Sequence, residues 1–229
     1  MKYADDVTLI ESVSSDRASS ISLDDCVSLF RSAGLFVNSA KCKQLCIFRF
    51  RNVFYAPASD FEIVKCMRIL GFYFTDTFNW QAQISNLLRQ ASQRLHIIRM
   101  LKTYCVSKPE LIRVYHAIIT SIFMYASPAY GHLPATLLAK LEKFQNRGHR
   151  LICGTSSCDC DGFPSLLRKH DGAAVNVLLQ AEEHVEHPLH GFVPGRLPAT
   201  QKLRLPVCNT SRRLNSFFVS TALLVNLQR

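Results

Sequence analysis

Two adjacent carboxylates near the start of the chain, Asp5 and Asp6, are of a type and position that could support chemistry. Short runs of strand-forming residues flank them, which predicts a strand, a tight turn and a second strand with the carboxylates at the tip. Carboxylate oxygens suit Mg²⁺, and phosphoryl-transfer enzymes use two such ions. Because strand side chains alternate between faces, we expect one Asp to bind metal and the other to support it. An ordinary hairpin with an Asp–Asp turn is the alternative.

The composition favours an anionic partner. The chain has 229 residues, a formal net charge of +10 and a pI near 9.3. Nucleic acid fits this balance best, and a membrane surface is the alternative. Hydrophobic residues make up 48% and charged residues 19%, which argues against disorder of the whole chain. The longest apolar stretch, residues 117–126, is half the ~20 residues of a spanning helix, so we expect no membrane span.

The cysteines and histidines bear on compartment and metal binding. Nine scattered cysteines favour reduced thiols in an intracellular protein of the nucleus or cytoplasm, and no signal peptide is visible, so we expect no secretion. We do not expect a zinc site, because a single residue separates the two candidate cysteines and Pro188 interrupts the run of candidate histidines. Its candidate ligands are Cys158, Cys160, His184, His187 and His190.

The remaining chain predicts strands first and helices afterwards. Apolar spacing predicts a helix from Leu23 to Ala33 that Gly34 ends. Strands are expected at 43–50 and 61–74, and helices from 79, at 135–153, at 163–186 and at 212–228. A capping box at Ser107 and Glu110 starts a further helix, and Ser127-Pro128 is expected to stop it. Four prolines after residue 187 predict a linker-like stretch.

Lys and Arg recur on two of the predicted helices. We expect them to contact a nucleic-acid backbone, although basic helices are often only solvated. The candidates are Arg89, Arg94, Arg99 and Lys102 on the first helix, and Lys140, Lys143, Arg147 and Arg150 on the second.

Several of these strings resemble one family. Tyr3-Ala4-Asp5-Asp6 resembles the catalytic hairpin of reverse transcriptases, in the non-LTR (LINE-type) retrotransposon branch. The block from Gly34-Leu35 through Asn38 to Lys41 is similar to the family's Gly-Leu, Asn, Lys motif, and Leu70-Gly71 to its primer-grip hairpin. Tyr125-Ala126-Ser127-Pro128 and residues 141–147 are similar to its thumb region. The resemblance covers about two thirds of the chain.

The resemblance implies an RNA-directed DNA polymerase, a nucleotidyltransferase that uses Mg²⁺, an RNA template and a DNA primer. Asp5 and Asp6 would be catalytic metal ligands, and Lys41 would assist the incoming nucleotide or leaving pyrophosphate. Leu70 and Gly71 would form the primer grip. Ordinary roles as a solvated loop lysine and a plain hairpin glycine remain alternatives for Lys41 and Gly71.

The resemblance also implies an α+β organisation. Residues 1–77 would be a partial palm, residues 78–154 an all-α thumb-like region, and residues 155–229 a helical and linker tail. The family's third carboxylate and its template-binding fingers lie upstream of the hairpin, so we expect a fragment that does not polymerise alone. The alternative is a non-catalytic basic helical module that binds nucleic acid or protein.

Overall fold

The computed structural model describes residues 2–3, 6–10, 20–47, 61–130, 133–154, 163, 165–214 and 216–227. For residues 2, 3, 6, 20–24, 211 and 212 it describes the backbone alone. The chain forms two units, Met1–Gln83 and Ile84–Arg229. The first contains paired strands and helical residues, and helices dominate the second. The predicted mixture of α and β structure is confirmed.

The first strand pair supports the predicted hairpin. Strands β1 (Lys2–Tyr3) and β2 (Asp6–Val7) are antiparallel, with Tyr3 opposite Asp6. Ala4 and Asp5, which join them in sequence, lie outside the described residues.

Helix α1 (Ser20–Ser32) ends as its sequence predicts. Gly34 has a φ of 71°, a conformation that glycine adopts without steric cost. The Leu35 N–H donates to the Phe30 carbonyl at 2.8 Å and the Gly34 N–H to the Arg31 carbonyl at 3.0 Å. These two bonds form a Schellman motif, which satisfies carbonyls that the helix end leaves without partners.

The next strand is shorter than predicted. After a 3₁₀ turn (Ser39–Lys41), β3 comprises only Lys43–Gln44, paired in parallel with β4 (Glu62–Ile63). The strand expected over 43–50 is therefore wrong for residues 45–47, and 48–50 lie outside the described residues.

A second hairpin closes the first unit. Strands β5 (Cys66–Ile69) and β6 (Phe72–Thr75) pair antiparallel around a two-residue turn. Leu70 and Gly71 both have positive φ, 49° and 86°. Two such residues between paired strands are typical of a type I′ turn, whose twist matches that of the strands.

Side chains at the end of this hairpin hold the start of helix α2 (Gln81–Thr103). The Trp80 ring lies 6.1 Å from Phe74 and 5.8 Å from Phe78, centroid to centroid. Gln83 is 1% exposed, and its Oε1 accepts the Tyr73 N–H at 3.1 Å. A buried amide needs such a partner, so this bond fixes the first turn of α2 on β6.

The residues from Ile84 onward form the helical unit. Its further elements in chain order are α3 (Lys108–Tyr115), α4 (Ser121–Met124), α5 (Ser127–Tyr130), α6 (Ala135–Cys153), α7 (Leu166–Glu183), α8 (Ser211–Leu214) and α9 (Phe217–Leu227). A π-helical turn, His116–Thr120, joins α3 to α4.

The predicted capping box is present, and the predicted stop is misplaced. Glu110 accepts hydrogen bonds from the Ser107 N–H at 3.3 Å and the Ser107 hydroxyl at 2.7 Å, which starts α3 at Lys108. The helical run ends at Met124, because Ala126 has a φ of 47°. Pro128 instead lies in the first turn of α5, where its missing N–H breaks no helical bond.

Two side chains satisfy the backbone carbonyl of Phe123 at the break after Met124. The Phe123 carbonyl accepts hydrogen bonds from the Tyr130 hydroxyl and from His170 Nε2, the latter at 3.1 Å. Since a carbonyl only accepts, Nε2 must carry the proton of this fully buried imidazole. Burial raises the pKa of Tyr130, which keeps it a hydroxyl donor.

Close packing between α3 and α6 depends on a glycine. A Cβ at Gly148 would lie 2.5 Å from the Tyr115 ring, closer than carbon atoms approach in real structures. The Tyr115 side chain is 2% exposed and fills that space. Glycine is therefore required here for packing, not for an unusual φ.

Residues 190–205, hereafter the strap segment, are not the linker that their prolines predicted. Arg196 forms a two-pronged ion pair with Glu182 of α7, and its Nη1 donates to the Gln201 carbonyl at 2.6 Å. The Asn226 side chain of α9 accepts the Leu203 N–H at 2.8 Å and donates to the Leu203 carbonyl at 3.0 Å. Leu203 itself is 1% exposed and packs in the core cluster of α7 and α9.

Candidate nucleic-acid interface

Four of the eight candidate cations share one face of α6. Leucines, Phe144 and Ile152 bury the opposite side of this helix. The exposed cations recur at intervals of three, four and three residues, which places them on one stripe about 15 Å long. The stripe, hereafter the α6 basic stripe, consists of Lys140, Lys143, Arg147 and Arg150.

The α6 basic stripe is available to an external anion. Arg150 Nε donates to the carbonyl of Asn146 at 3.3 Å, one turn earlier in the same helix. Lys140, Lys143 and Arg147 make no side-chain hydrogen bond or ion pair with another residue that the structure describes. Glu142 is the one acidic residue in α6. This exposed row of like charges can compete for phosphates.

The four cations of α2 do not form a comparable face. Arg89, Arg94 and Arg99 follow one another at five-residue intervals, which separates neighbours by about 140° around a helix. They therefore point in different directions. The five-residue spacing is visible in the sequence and already separates these cations from those of α6.

Two of the α2 cations bond to backbone within the helical unit. Arg94 Nη1 donates to the Ile118 carbonyl at 2.8 Å, inside the π-helical turn. Lys102 Nζ donates to the Leu151 carbonyl at 2.6 Å. The last carbonyls of a helix lack intrahelical partners, so Lys102 caps the C-terminal end of α6. Arg89 donates to Asn86 Oδ1 at 3.1 Å, and Arg99 makes no such bond to a described residue.

The predicted catalytic residues are only partly described. The backbone of Asp6 pairs with Tyr3, whereas Asp5 and both carboxylates lie outside what the structure describes. Lys41 is exposed at the end of the 3₁₀ turn, where its N–H donates to the Asn38 carbonyl at 3.0 Å. Among the described residues no three His, Cys, Asp or Glu side chains are grouped as metal ligands.

The predicted primer-grip pair occupies the tip of the second hairpin. Leu70 holds a left-handed backbone conformation and is 38% exposed. This conformation costs a residue with a side chain about 1–2 kcal/mol. Such strain is often stored at functional sites, and here it presents an apolar side chain at a turn.

Two of the candidate zinc ligands, His187 and His190, have a ring nitrogen within hydrogen-bond distance of the backbone. His190 Nδ1 lies 2.8 Å from the Ala181 carbonyl, and His187 Nδ1 accepts the Leu189 N–H at 3.1 Å. Cys158 and Cys160 lie outside the described residues. Six other cysteines are free thiols, as expected, but Cys153 is disulfide-bonded, so the expectation of reduced thiols is wrong for that residue.

The chain matches no family model, no curated protein and no solved structure. Among the described helices, none combines the length and apolar character needed to cross a membrane.

Proposed function

We propose that the chain binds nucleic acid through the phosphate backbone, with the α6 basic stripe as its principal contact. The observation that carries this proposal is the alignment of four exposed cations on one face of a 19-residue helix. Each cation can replace a counterion on a phosphate, and the release of counterions favours binding. A stripe of Lys and Arg without flanking base-reading geometry gives affinity without sequence preference.

The nucleic acid that we propose is the template–primer duplex of a non-LTR retrotransposon reverse transcriptase. This part of the proposal depends on the resemblance of Tyr3-Ala4-Asp5-Asp6, Lys41, and Leu70-Gly71 to the family's motifs. Two features agree with it: the antiparallel register at Tyr3 and Asp6, and the tight turn at Leu70-Gly71. On this proposal α6 is part of a thumb-like helical region that lies along an RNA–DNA hybrid.

A salt titration with a matched pair of variants tests the proposal. The test variant carries Lys140, Lys143, Arg147 and Arg150 changed to Gln. The control variant loses the same charge from exposed cations scattered over other elements, namely Arg31, Lys65, Lys108 and Arg113. Binding of a fluorescent RNA–DNA hybrid by the full chain is measured at increasing salt.

We expect the stripe variant to bind more weakly and to depend less on salt. Each lost phosphate contact lowers the slope of log affinity against log salt by about 0.9, so four contacts account for about 3.6. The control variant should keep most of the wild-type slope. Equal losses in both variants would mean that diffuse net charge, not the α6 basic stripe, attracts the hybrid.

A further inference from the structure

The last part of the chain is basic and contains no acidic side chain. Between His187 and Arg229 there is no Asp or Glu, whereas six Lys and Arg occur. Among the cations of this stretch whose side chains the structure describes, only Arg196 is neutralised, by Glu182. This asymmetry was readable in the sequence and indicates that the surface of the strap segment attracts anions.

An exposed aromatic ring lies on this segment. Phe192 is 68% exposed, and its ring stacks on Phe218 at 6.0 Å between centroids and 28° between planes. Phe218 meets Phe217 edge-on at 5.2 Å, and both pack against the core cluster of α7 and α9. The Phe192 ring is thus supported from behind and accessible from the front.

Two cations lie on the same segment as this ring. The Arg204 N–H donates at 2.9 Å to the carbonyl of Gly195, which is three residues after Phe192. Leu203 is buried in the core, whereas Lys202 and Arg204 on either side of it are exposed. Neither side chain has a hydrogen bond or ion pair to any residue that the structure describes.

We propose that Phe192, Lys202 and Arg204 form a binding site for single-stranded nucleic acid. A nucleotide supplies one flat ring and one negative charge, which is the combination that this surface complements. A base would stack on the open face of Phe192 while the two cations contact the neighbouring phosphates. An acidic peptide would satisfy the cations but offers no regular flat partner for the ring. The site is separate from the α6 basic stripe and requires an unpaired base.

The test compares a strand that has bases with one that lacks them. Fluorescence anisotropy of the full chain is measured with labelled oligothymidylate and with an abasic strand of equal length and charge. The Phe192→Ala variant should bind oligothymidylate about tenfold more weakly, because it loses the stacking of one base. Its affinity for the abasic strand should be unchanged, and Phe192→Trp should retain wild-type binding.

Matched variants distinguish binding at this site from nonspecific binding and from binding at the α6 basic stripe. Tyr104→Ala removes a ring that is 73% exposed on another part of the helical unit, and it should change neither affinity. Lys202 and Arg204 changed together to Gln should weaken both strands equally. The α6 stripe variant should lose hybrid binding while the Phe192 effect on oligothymidylate persists.

Two results would overturn the site. Equal affinity of the wild-type chain for the two strands would show that no base stacks on it. Binding to vesicles of anionic lipid that depends on Phe192, without binding to oligothymidylate, would assign the surface to a membrane instead. Because Phe192→Trp keeps an aromatic ring, its behaviour distinguishes lost stacking from a local folding defect in the Ala variant. If the stripe variant loses hybrid binding while Phe192→Ala binds oligothymidylate as the wild type does, the proposed function stands and this site fails.

Discussion

Lys102 and Lys143 show how one side-chain type takes two roles in the same helical unit. Lys102 is bonded to the Leu151 carbonyl at the end of α6, whereas Lys143 lies in the exposed α6 basic stripe. A charged donor on an orphan carbonyl stabilises the helix end, both by the hydrogen bond and by the helix dipole. The two lysines should therefore respond differently to loss of charge.

We predict that Lys102→Met lowers the free energy of unfolding by about 1 kcal/mol, since it keeps the aliphatic stem and removes the charged donor. Lys143→Met should leave stability unchanged and weaken hybrid binding. Thermal melting and anisotropy of both variants check this. Weaker hybrid binding by Lys102→Met with an unaltered melting temperature would place Lys102 among the phosphate contacts instead.

The strained turn at Leu70 allows a stabilising substitution. Asn adopts the left-handed conformation more readily than Leu and is favoured before Gly in type I′ turns. Leu70→Asn should therefore raise stability by about 1 kcal/mol, measured by chemical denaturation. Leu70→Ile, whose branched side chain tolerates positive φ poorly, is the opposite control and should destabilise. If Leu70→Asn stabilises the fold but weakens binding of the hybrid, the strain serves the proposed primer contact.

The helices were the most predictable elements because their signals are local. The bounds of α6 follow from its apolar spacing and from Gly154, whose φ is 87°. The π-helical turn at His116–Thr120 and the break after Met124 have no such signal. The break is held by Tyr130 and by His170, which is 47 residues away from the carbonyl that it satisfies. A contact at that separation leaves no periodicity in the sequence.

The roles of the candidate cations also divide into those that local spacing predicts and those that depend on distant contacts. The common face of the α6 basic stripe was implicit in the spacing, whereas the bonds of Arg94 and Lys102 span 24 and 49 residues of sequence. Only the folded chain shows that these two cations have backbone partners. The prolines of the strap segment likewise give no sign of its anchoring contacts, because Glu182 and Asn226 lie outside it.

The capping box at the start of α3 predicts an acid-dependent contribution to stability. Hydrogen bonds from the Ser107 side chain and backbone lower the pKa of Glu110 below its ordinary value of 4.5. A carboxyl whose folded-state pKa is depressed stabilises the fold above its unfolded pKa, and the contribution is lost as pH falls through the folded value. Melting temperatures of wild type and Glu110→Ala should thus differ at neutral pH and converge below about 4.5.

Glu142→Ala on α6 is the matched control for this experiment, because its exposed carboxylate makes no hydrogen bond to a residue that the structure describes. Measured beside Glu110→Ala, it shows how much of any change in melting temperature follows from the loss of an exposed carboxylate alone. A Glu110→Ala difference that persists at pH values well below 4.5 would show that packing, not the ionised cap, carries the effect.

At the scale of the whole chain, the C-terminal elements form one interdependent assembly. The strap segment is fixed to α7 through Arg196 and Glu182 and to α9 through Leu203 and Asn226. Proteases cleave backbone that can leave the folded surface, and these contacts oppose that. Lys202 and Arg204 of the strap segment are nevertheless exposed, and trypsin cleaves after Lys and Arg.

We predict slow cleavage by trypsin after Lys202 and Arg204 in the wild-type chain, and cleavage several-fold faster in Asn226→Ala. Asn176→Ala, at an exposed position on α7, should behave as wild type. Mass spectrometry of timed digests identifies the cut sites. Rapid cleavage in all three proteins would show that the strap segment is not held by Asn226.

The paired ends of the strap segment also make its tip a place where sequence length can vary. The Leu197 N–H donates to the Lys202 carbonyl at 2.8 Å. The ion pair of Arg196 and the hydrogen bonds of Asn226 hold the residues on either side. Residues 198–200 between them are exposed. The entropy of closing a flexible loop grows slowly, by about 0.6 kcal/mol for each doubling of length. A peptide tag inserted at this tip should therefore be carried outward while α7 and α9 remain joined beneath it.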